Sequence, residues 1–347
     1  MTERQCTFQM KILKTCLSNK NILSLNDLSS GDIFSILKLA EVLKREAKTK
    51  SQRSRQLLRG KVLGMIFQKP STRTRVSFET GMYQMGGNAV YMDSQNTQLS
   101  RGESVEDTAR TLSLYVDCIM ARVYDHHDLE KLASAASIPV INGLSDTFHP
   151  CQILADLLTV KEHKRKLKGI GIAWVGDGNN VCNDLLIGCA ETGIDITVAS
   201  PKGYEPPEWI VSLAAHKARG TGAQVNITDD PFIAVKDADA VMTDTFVSIG
   251  KDEEKEARKE VFVPKYQVNS KLMARARKGA LFLHCLPAAR GLEVTSEVID
   301  GKQSVVWEEA ENRLHVQKAL LYMLIACRSL IRAKDLKSTR YDAHTAG

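Results

Sequence analysis

At 347 residues the chain is long enough for two domains of ordinary size. Hydrophobic residues make up 43% and charged residues 25%, the profile of a globular protein, and no apolar run approaches the length of a membrane span. The net charge of +6 comes from bases interleaved with acids, as in Lys251-Asp252-Glu253-Glu254-Lys255-Glu256; this argues against nucleic acid and suits small anionic substrates.

The N-terminus, from Met1 to Cys6, has no following apolar h-region, which argues against a secretory signal. Lys11, Lys14 and Lys20 in an acid-poor stretch leave a mitochondrial presequence open; the cytoplasm is the preferred location. Eight scattered cysteines (Cys6, Cys16, Cys118, Cys151, Cys182, Cys189, Cys285 and Cys327) lack any Cys-x-x-Cys pair. That pattern predicts reduced thiols, no disulfide framework and no zinc site.

The first predicted strand is Val62–Phe67. A helix with apolar residues at helical spacing from Val76 to Met85 follows it. Between them lies Gln68-Lys69-Pro70-Ser71-Thr72-Arg73-Thr74-Arg75. Three hydroxyls and two guanidiniums crowd onto a helix start, where backbone N–H groups lack partners and the dipole is positive. Oxyanions bind at such places, so the segment reads as a phosphate cradle; the plainer alternative is Ser71 acting only as an N-cap. A Walker-type Gly-Lys-Ser/Thr pattern is absent.

Strands at Ala89–Met92, Cys118–Val123 and Pro139–Leu144 alternate with helices at Val105–Tyr115 and Leu129–Ala136. Such alternation predicts parallel strands joined by helical crossovers. Arg122 near a strand end offers a second cation for an anion or a carbonyl oxygen. His149 to Arg165 reads as a helix with Pro150 in its first turn. It places His149 and Gln152 on one face, an imidazole for an oxyanion and an amide that reads both N–H and C=O groups.

A second series of strands runs Ile170–Val175, Ile196–Ala199, Val225–Thr228, Ala240–Thr243 and Ala280–Leu286, with a helix from about Val181 to Thr192. Gly176-Asp177-Gly178-Asn179-Asn180 half-matches a dinucleotide fingerprint, but Val181 stands at the third glycine and no acidic residue closes the next strand. Asn180 could instead hold a carboxylate. Asp244, in Thr243-Asp244-Thr245-Phe246-Val247-Ser248-Ile249-Gly250, could pair with an ammonium. In His284-Cys285-Leu286-Pro287, neighbours on a strand face opposite ways, so His284 cannot easily activate Cys285. Glu308-Glu309-Ala310-Glu311-Asn312-Arg313 is mostly a charged helix start, with Arg313 able to reach a cleft; an amphipathic segment runs on from Asn312 to Arg332.

Phe-x-Lys-x-Ser-Thr-Arg-Thr-Arg, His149-Pro150-Cys151-Gln152 and His284-Cys285-Leu286-Pro287 together resemble the aspartate/ornithine carbamoyltransferase family, over about residues 23 to 330. The aspartate branch has Pro where Cys285 stands, and the Asp244–Gly250 loop is similar to that of the ornithine branch. The resemblance implies an α/β fold of two domains, each a parallel sheet flanked by helices and joined by interdomain helices. It places a carbamoyl-phosphate domain at 1–148, with a C-terminal helix at 312–347 packing back onto it. An interdomain helix at 149–166 and an ornithine domain at 167–311 complete it.

The implied substrates are carbamoyl phosphate and L-ornithine, giving L-citrulline and phosphate, with no cofactor and no metal. Carbamoyl phosphate would meet Ser71, Thr72, Arg73, Thr74, Gln98, Arg122, His149, Gln152, Cys285, Leu286 and Arg313. Ornithine would meet Asn180, Asp244, Ser248 and Ile249, and the catalytic set would be Cys285, Arg122, His149 and Asp244. A homotrimer is implied, with neither nucleic acid nor membrane as partner. Ile249 replaces the usual Met and Ala289 the common His. An acylated ornithine or putrescine as acceptor, an NAD-dependent dehydrogenase and an anion-binding module are the alternatives.

Overall fold

A computed structural model of the chain describes residues 17, 21–49, 56–247 and 252–326. It divides into two compact units. One comprises Gly31–Ser145 with the described residues up to Leu23 and from Leu314 onward; the other comprises Ser24–Ser30 and Asp146–Arg313. Each carries one wholly parallel sheet among helices.

The sheet of the first unit contains β1 (Val62–Phe67), β2 (Asn88–Asp93), β3 (Cys118–Arg122) and β4 (Val140–Leu144) in the order β2-β1-β3-β4. After β1 the chain builds outward to β2, then returns to the other side of β1 for β3. The crevice between the carboxyl ends of β1 and β3 is therefore the switch point where open α/β sheets take ligands. β3 is buried along its whole length, and β1 nearly so, as expected of central parallel strands. Ile66, Ile119, Ala121, Leu129 and Val140 are among the core residues here.

The second unit contains β5 (Gly171–Val175), β6 (Asp195–Ala199), β7 (Val225–Thr228), β8 (Ala240–Thr243) and β9 (Leu281–His284), ordered β7-β6-β5-β8-β9. Its switch point falls between β5 and β8. Phe246, Phe262 and Tyr266 contribute stacked and edge-on rings to the core beside it.

The α/β architecture and every predicted strand are present, with ends moved by a residue or two. The largest shift is at β9, which stops at His284 and leaves Cys285 and Leu286 on a turn. Leu286 adopts φ +58°, a left-handed conformation that no strand contains. The helix at Ser30–Lys48, absent from the sequence reading, buries Ile33, Ile36, Leu37, Ala40 and Leu43 at helical spacing. Glu208–Thr221 and Lys255–Phe262 are further helices absent from the sequence reading. The long C-terminal segment is a helix at Val306–Leu321 followed by a π turn at Tyr322–Ala326; residues 327–347 lie outside the described residues. Among the described residues no helix is long and apolar enough to cross a membrane.

Candidate active site

In the first unit, Ser71 has extended backbone and caps the helix Thr72–Gln84. Its hydroxyl accepts from the Thr74 N–H at 3.3 Å. Capping and anion binding are compatible here, because one hydroxyl satisfies only one of the free N–H groups of the first turn. Thr72 and Arg73 are exposed and Thr74 is buried. Arg75 does not join a cradle: its Nε donates to Glu79 at 3.0 Å and its guanidinium lies 3.7 Å over the Tyr91 ring. The sequence reading counted two guanidiniums here; the structure commits the second to its own helix and to β2.

Arg122 ends β3 directly opposite Phe67 of β1, and its carbonyl accepts from the Gln68 N–H at 2.8 Å. Arg122 is thus at the β1/β3 switch point, and it is buried. Lys69, also buried, sits 4.3 Å over the Tyr124 ring. Gln98 opens an exposed 3-10 turn, Gln98–Arg101, after β2. Every predicted residue of this unit therefore stands at or beyond the carboxyl end of a strand.

The second unit holds the rest. Asp244, directly after β8 and buried, is the centre of a tight set of donors. Its Oδ1 accepts from the Thr245 N–H at 2.7 Å and from the Cys285 thiol at 3.0 Å, and its Oδ2 accepts from Asn179 Nδ2 at 2.8 Å. Burial, then the neighbouring Asp244 carboxylate, pushes the Cys285 thiol well above its ordinary range. Cys285 is therefore a protonated hydrogen-bond donor, not a thiolate nucleophile.

Asn179, which the sequence reading passed over, is the N-cap of the helix Asn180–Thr192. Its Oδ1 accepts from the Val181 and Cys182 N–H groups while its amide holds Asp244. Asn180 is the first helical residue and half-buried. Ser248 and Ile249 lie outside the described residues.

The Gly176–Asn180 turn owes its glycines to packing. Gly176 has φ +143°, and a Cβ on Gly178 would stand 2.2 Å from the Pro206 backbone nitrogen. A dinucleotide is not needed to explain either.

His149 precedes the helix Pro150–Lys164, with Pro150 in its first turn as predicted. Its backbone N–H donates to Asp184 Oδ2 at 2.8 Å. The other Asp184 oxygen accepts from the Leu25 N–H, so a buried carboxyl, raised by that burial, fixes where His149 stands.

Gln152 is fully engaged on its amide side. Nε2 donates to Asp156 and to Glu309 at 2.8 Å each, while Oε1 accepts from Arg313 Nη1 at 2.6 Å. With both amide hydrogens used, Gln152 retains acceptor capacity only, suited to an N–H of a carbamoyl group. Reading both an N–H and a C=O, as the sequence suggested, is beyond it in this arrangement.

Glu309 was read as part of a charged helix start, yet it is buried, and its second oxygen accepts from the His284 N–H at 2.9 Å. Asp156 and Glu309, like Asn179 and Asp184, carry no signal in the sequence.

The turn carrying Cys285 and Leu286 is held by His284. Its Nδ1 accepts from the Leu286 N–H at 2.9 Å, so the ring proton lies on Nε2, facing Glu293 Oε1 at 3.2 Å. Glu293 also accepts from the Ala289 N–H. Left-handed φ on a leucine costs about 1–3 kcal/mol, and these bonds stabilise it. Asp244, His284 and Cys285 offer atoms within 4.8 Å of one another, a spacing a metal could use. The hydrogen bonds above already engage those side chains, and the set works as a hydrogen-bond network.

An oxyanion-type helix start at one switch point and a buried carboxylate beside a thiol at another define the class. This is a two-unit α/β protein whose candidate site residues gather at the carboxyl ends of parallel strands.

Residues 20–162 match the family model for the aspartate/ornithine carbamoyltransferase carbamoyl-P binding domain, and residues 168–324 match that for the Asp/Orn binding domain. The ornithine carbamoyltransferase of Bacillus subtilis is 52% identical over 314 residues, covering 90% of this chain and 96% of the relative. That of Cenarchaeum symbiosum is 54% identical, covering 89% and 99%. The solved ornithine carbamoyltransferase of Pyrococcus furiosus superposes with a TM-score of 0.86 at 50% identity, covering 89% of this chain and 98% of that one. The chain belongs to the aspartate/ornithine carbamoyltransferase family.

Proposed function

We propose that the protein transfers the carbamoyl group of carbamoyl phosphate to the δ-amine of L-ornithine, giving L-citrulline and phosphate. The observation that carries this reading is Asp244, a buried side chain at the β5/β8 switch point whose carboxylate is suited to an ammonium-bearing acceptor. In this proposal Ser71, Thr72, Arg73, Thr74, Gln98 and Arg122 bind the phosphate. Arg122, His149, Gln152, Cys285, Leu286 and Arg313 surround the carbamoyl group. Asn180, Asp244, Ser248 and Ile249 hold ornithine.

The δ-amine is the nucleophile only once it has lost a proton, since an alkylammonium has a pKa near 10.4. As its lone pair forms the new N–C bond, negative charge builds on the carbonyl oxygen, where Arg122 and His149 stabilise it. The C–O bond to phosphate then breaks, and the phosphate leaves with the electron pair while held by the cradle, taking up the second amine proton; the first, lost before attack, goes to solvent. Carbamoyl phosphate is already an activated acyl donor. Cys285 keeps its proton and orients Asp244.

A cytoplasmic homotrimer serving arginine synthesis belongs to the same proposal. The P. furiosus relative is named anabolic, and Leu114 and Tyr115 at the end of one helix are exposed apolar groups suited to a subunit contact. Carbamoyl transfer, followed as phosphate released with ornithine, acetylornithine, putrescine or aspartate as acceptor, tests the activity. Ornithine is expected to dominate; preference for another acceptor would reassign the site. Light scattering is expected to give three times the chain mass.

A further inference from the structure

Two acids with no assigned role meet in the interior of the second unit. Asp156, on the helix Pro150–Lys164, and Glu309, on the helix Val306–Leu321, are each 1% exposed. Their side chains share one hydrogen-bond donor group, Gln152 Nε2.

One proton is missing from this set of hydrogen bonds. Both Glu309 oxygens accept an N–H, from Gln152 and from His284, and Asp156 Oδ1 accepts the other Gln152 hydrogen. Asp156 Oδ2 is buried with no donor. A buried carboxylate oxygen without a donor is costly; one that carries a proton toward its neighbour is not.

Charge counting agrees. The groups acting on the pair are Arg313, the only cation among them, together with Asp244; the thiols of Cys285 and Cys189 feel the pair in turn. Two anions beside one guanidinium would leave an unbalanced charge in the interior, whereas one anion matches it. Burial foremost pushes both carboxyls up.

We propose that Asp156 and Glu309 are a proton-sharing carboxyl pair that positions Gln152 and the start of the Cys285 turn for carbamoyl transfer. The inference rests on the function proposed above and adds positioning residues to it. With one proton between them, the pair fixes both Gln152 hydrogens and leaves its Oε1 to Arg313, while Glu309 pins the end of β9 through the His284 N–H. Removing that proton sets two anions against each other and draws Arg313 from Gln152 toward a carboxylate. The group that accepts a carbamoyl N–H would then turn away.

The hydrogen bonds distinguish the two partners. Asn at 156 can accept from Gln152 and donate where the proton sits, so Asp156→Asn mimics the one-proton pair. Gln at 309 sets an amide hydrogen against an N–H whichever way it turns.

The test pairs kinetics with infrared spectroscopy on the full-length protein. Wild type is expected to show a protonated-carboxyl C=O band at neutral pH that is weaker in Asp156→Asn, the buried Asp184 contributing alike to both; bands of equal intensity in the two proteins would overturn the shared proton. The KM for carbamoyl phosphate is expected to rise at alkaline pH in wild type and stay flat in Asp156→Asn, with most of kcat kept. Asp156→Ala is expected to lose about 10²-fold in kcat/KM through misplacement. A pH profile of Asp156→Asn identical to wild type would overturn the positioning role. Wild type that makes no citrulline would instead defeat the functional reading, and the infrared band would still decide the pair.

Discussion

Replacing Asp244 by Asn tests the amine side of the site with minimal change of shape. Asp244 accepts from the Thr245 N–H and Cys285 thiol on one oxygen and from Asn179 on the other. Asn can present only one oxygen. Either rotamer therefore sets its amide hydrogens against a neighbouring donor, at a cost of about 1–3 kcal/mol in stability. It also removes the negative charge proposed to hold the ornithine ammonium. A hydrogen bond to a charged group contributes about 1.5–3 kcal/mol. At about 1.4 kcal/mol per decade, KM for ornithine should rise between about tenfold and a hundredfold. KM for carbamoyl phosphate should hardly move. The assay is citrulline formation with each substrate varied against saturating levels of the other, alongside urea unfolding. An unchanged ornithine KM with unchanged kcat would refute the role. Equal rises in both KM values would mean that Asn disturbs the unit as a whole and that the charge has no specific partner.

Arg73→Ala should abolish turnover while leaving the fold intact, whereas Arg75→Ala should keep near-normal kcat and KM because Glu79 and Tyr91 already occupy Arg75; equal losses in the two variants would contradict the assignment of the cradle. Gly178→Ala drives a Cβ into the Pro206 backbone and should cost about 1–3 kcal/mol in urea unfolding, a change near zero being the contrary result. Arg258 is buried and pairs with Asp177 and Glu254 at 2.7 Å each, and it also donates to the Phe246 carbonyl; Arg258→Met should destabilise by about 3–5 kcal/mol by stranding Asp177, and a stable Arg258→Met protein would show the pair to be dispensable. Because burial raises the Asp156–Glu309 pair, the folded state keeps a proton that the unfolded chain releases near pH 4, so stability should fall as pH rises from about 4 toward about 7, and Asp156→Asn should flatten that slope in thermal melts taken across the range.

The strands were legible in the sequence because parallel strands buried on both faces read as short apolar runs, and Val62–Phe67 and Ala240–Thr243 came out to the residue. Strand ends then pointed to the site, since loops after parallel strands carry the chemistry in open sheets. That logic found Ser71, Arg122, Asp244 and Cys285. It overshot at β9, where a left-handed Leu286 ends the strand after an apolar run that continues regardless. It also overcounted at Arg75, because a sequence shows a cation but not the aromatic ring and carboxylate that already hold it.

The acids beneath the site were illegible for a different reason. Glu309 stands among Glu308, Glu311 and Arg313, and Asp156 follows a run of apolar residues, so local composition marks one as solvated and the other as an interruption. Both are buried because helices far apart in sequence bring Gln152, Arg313 and the end of β9 to the same place. Burial of an acid is a property of the assembled fold, and only an accounting of donors reveals which acid must keep its proton. Arg313 and Gln152 each stand out in the sequence, but the hydrogen bond between them does not. Arg313 and Gln152 bond directly, and the carboxyl pair on the other side of the Gln152 amide fixes which way that amide faces. Asp156→Asn should therefore spare the kinetics that Asp156→Ala destroys, although both remove the same ionisable group.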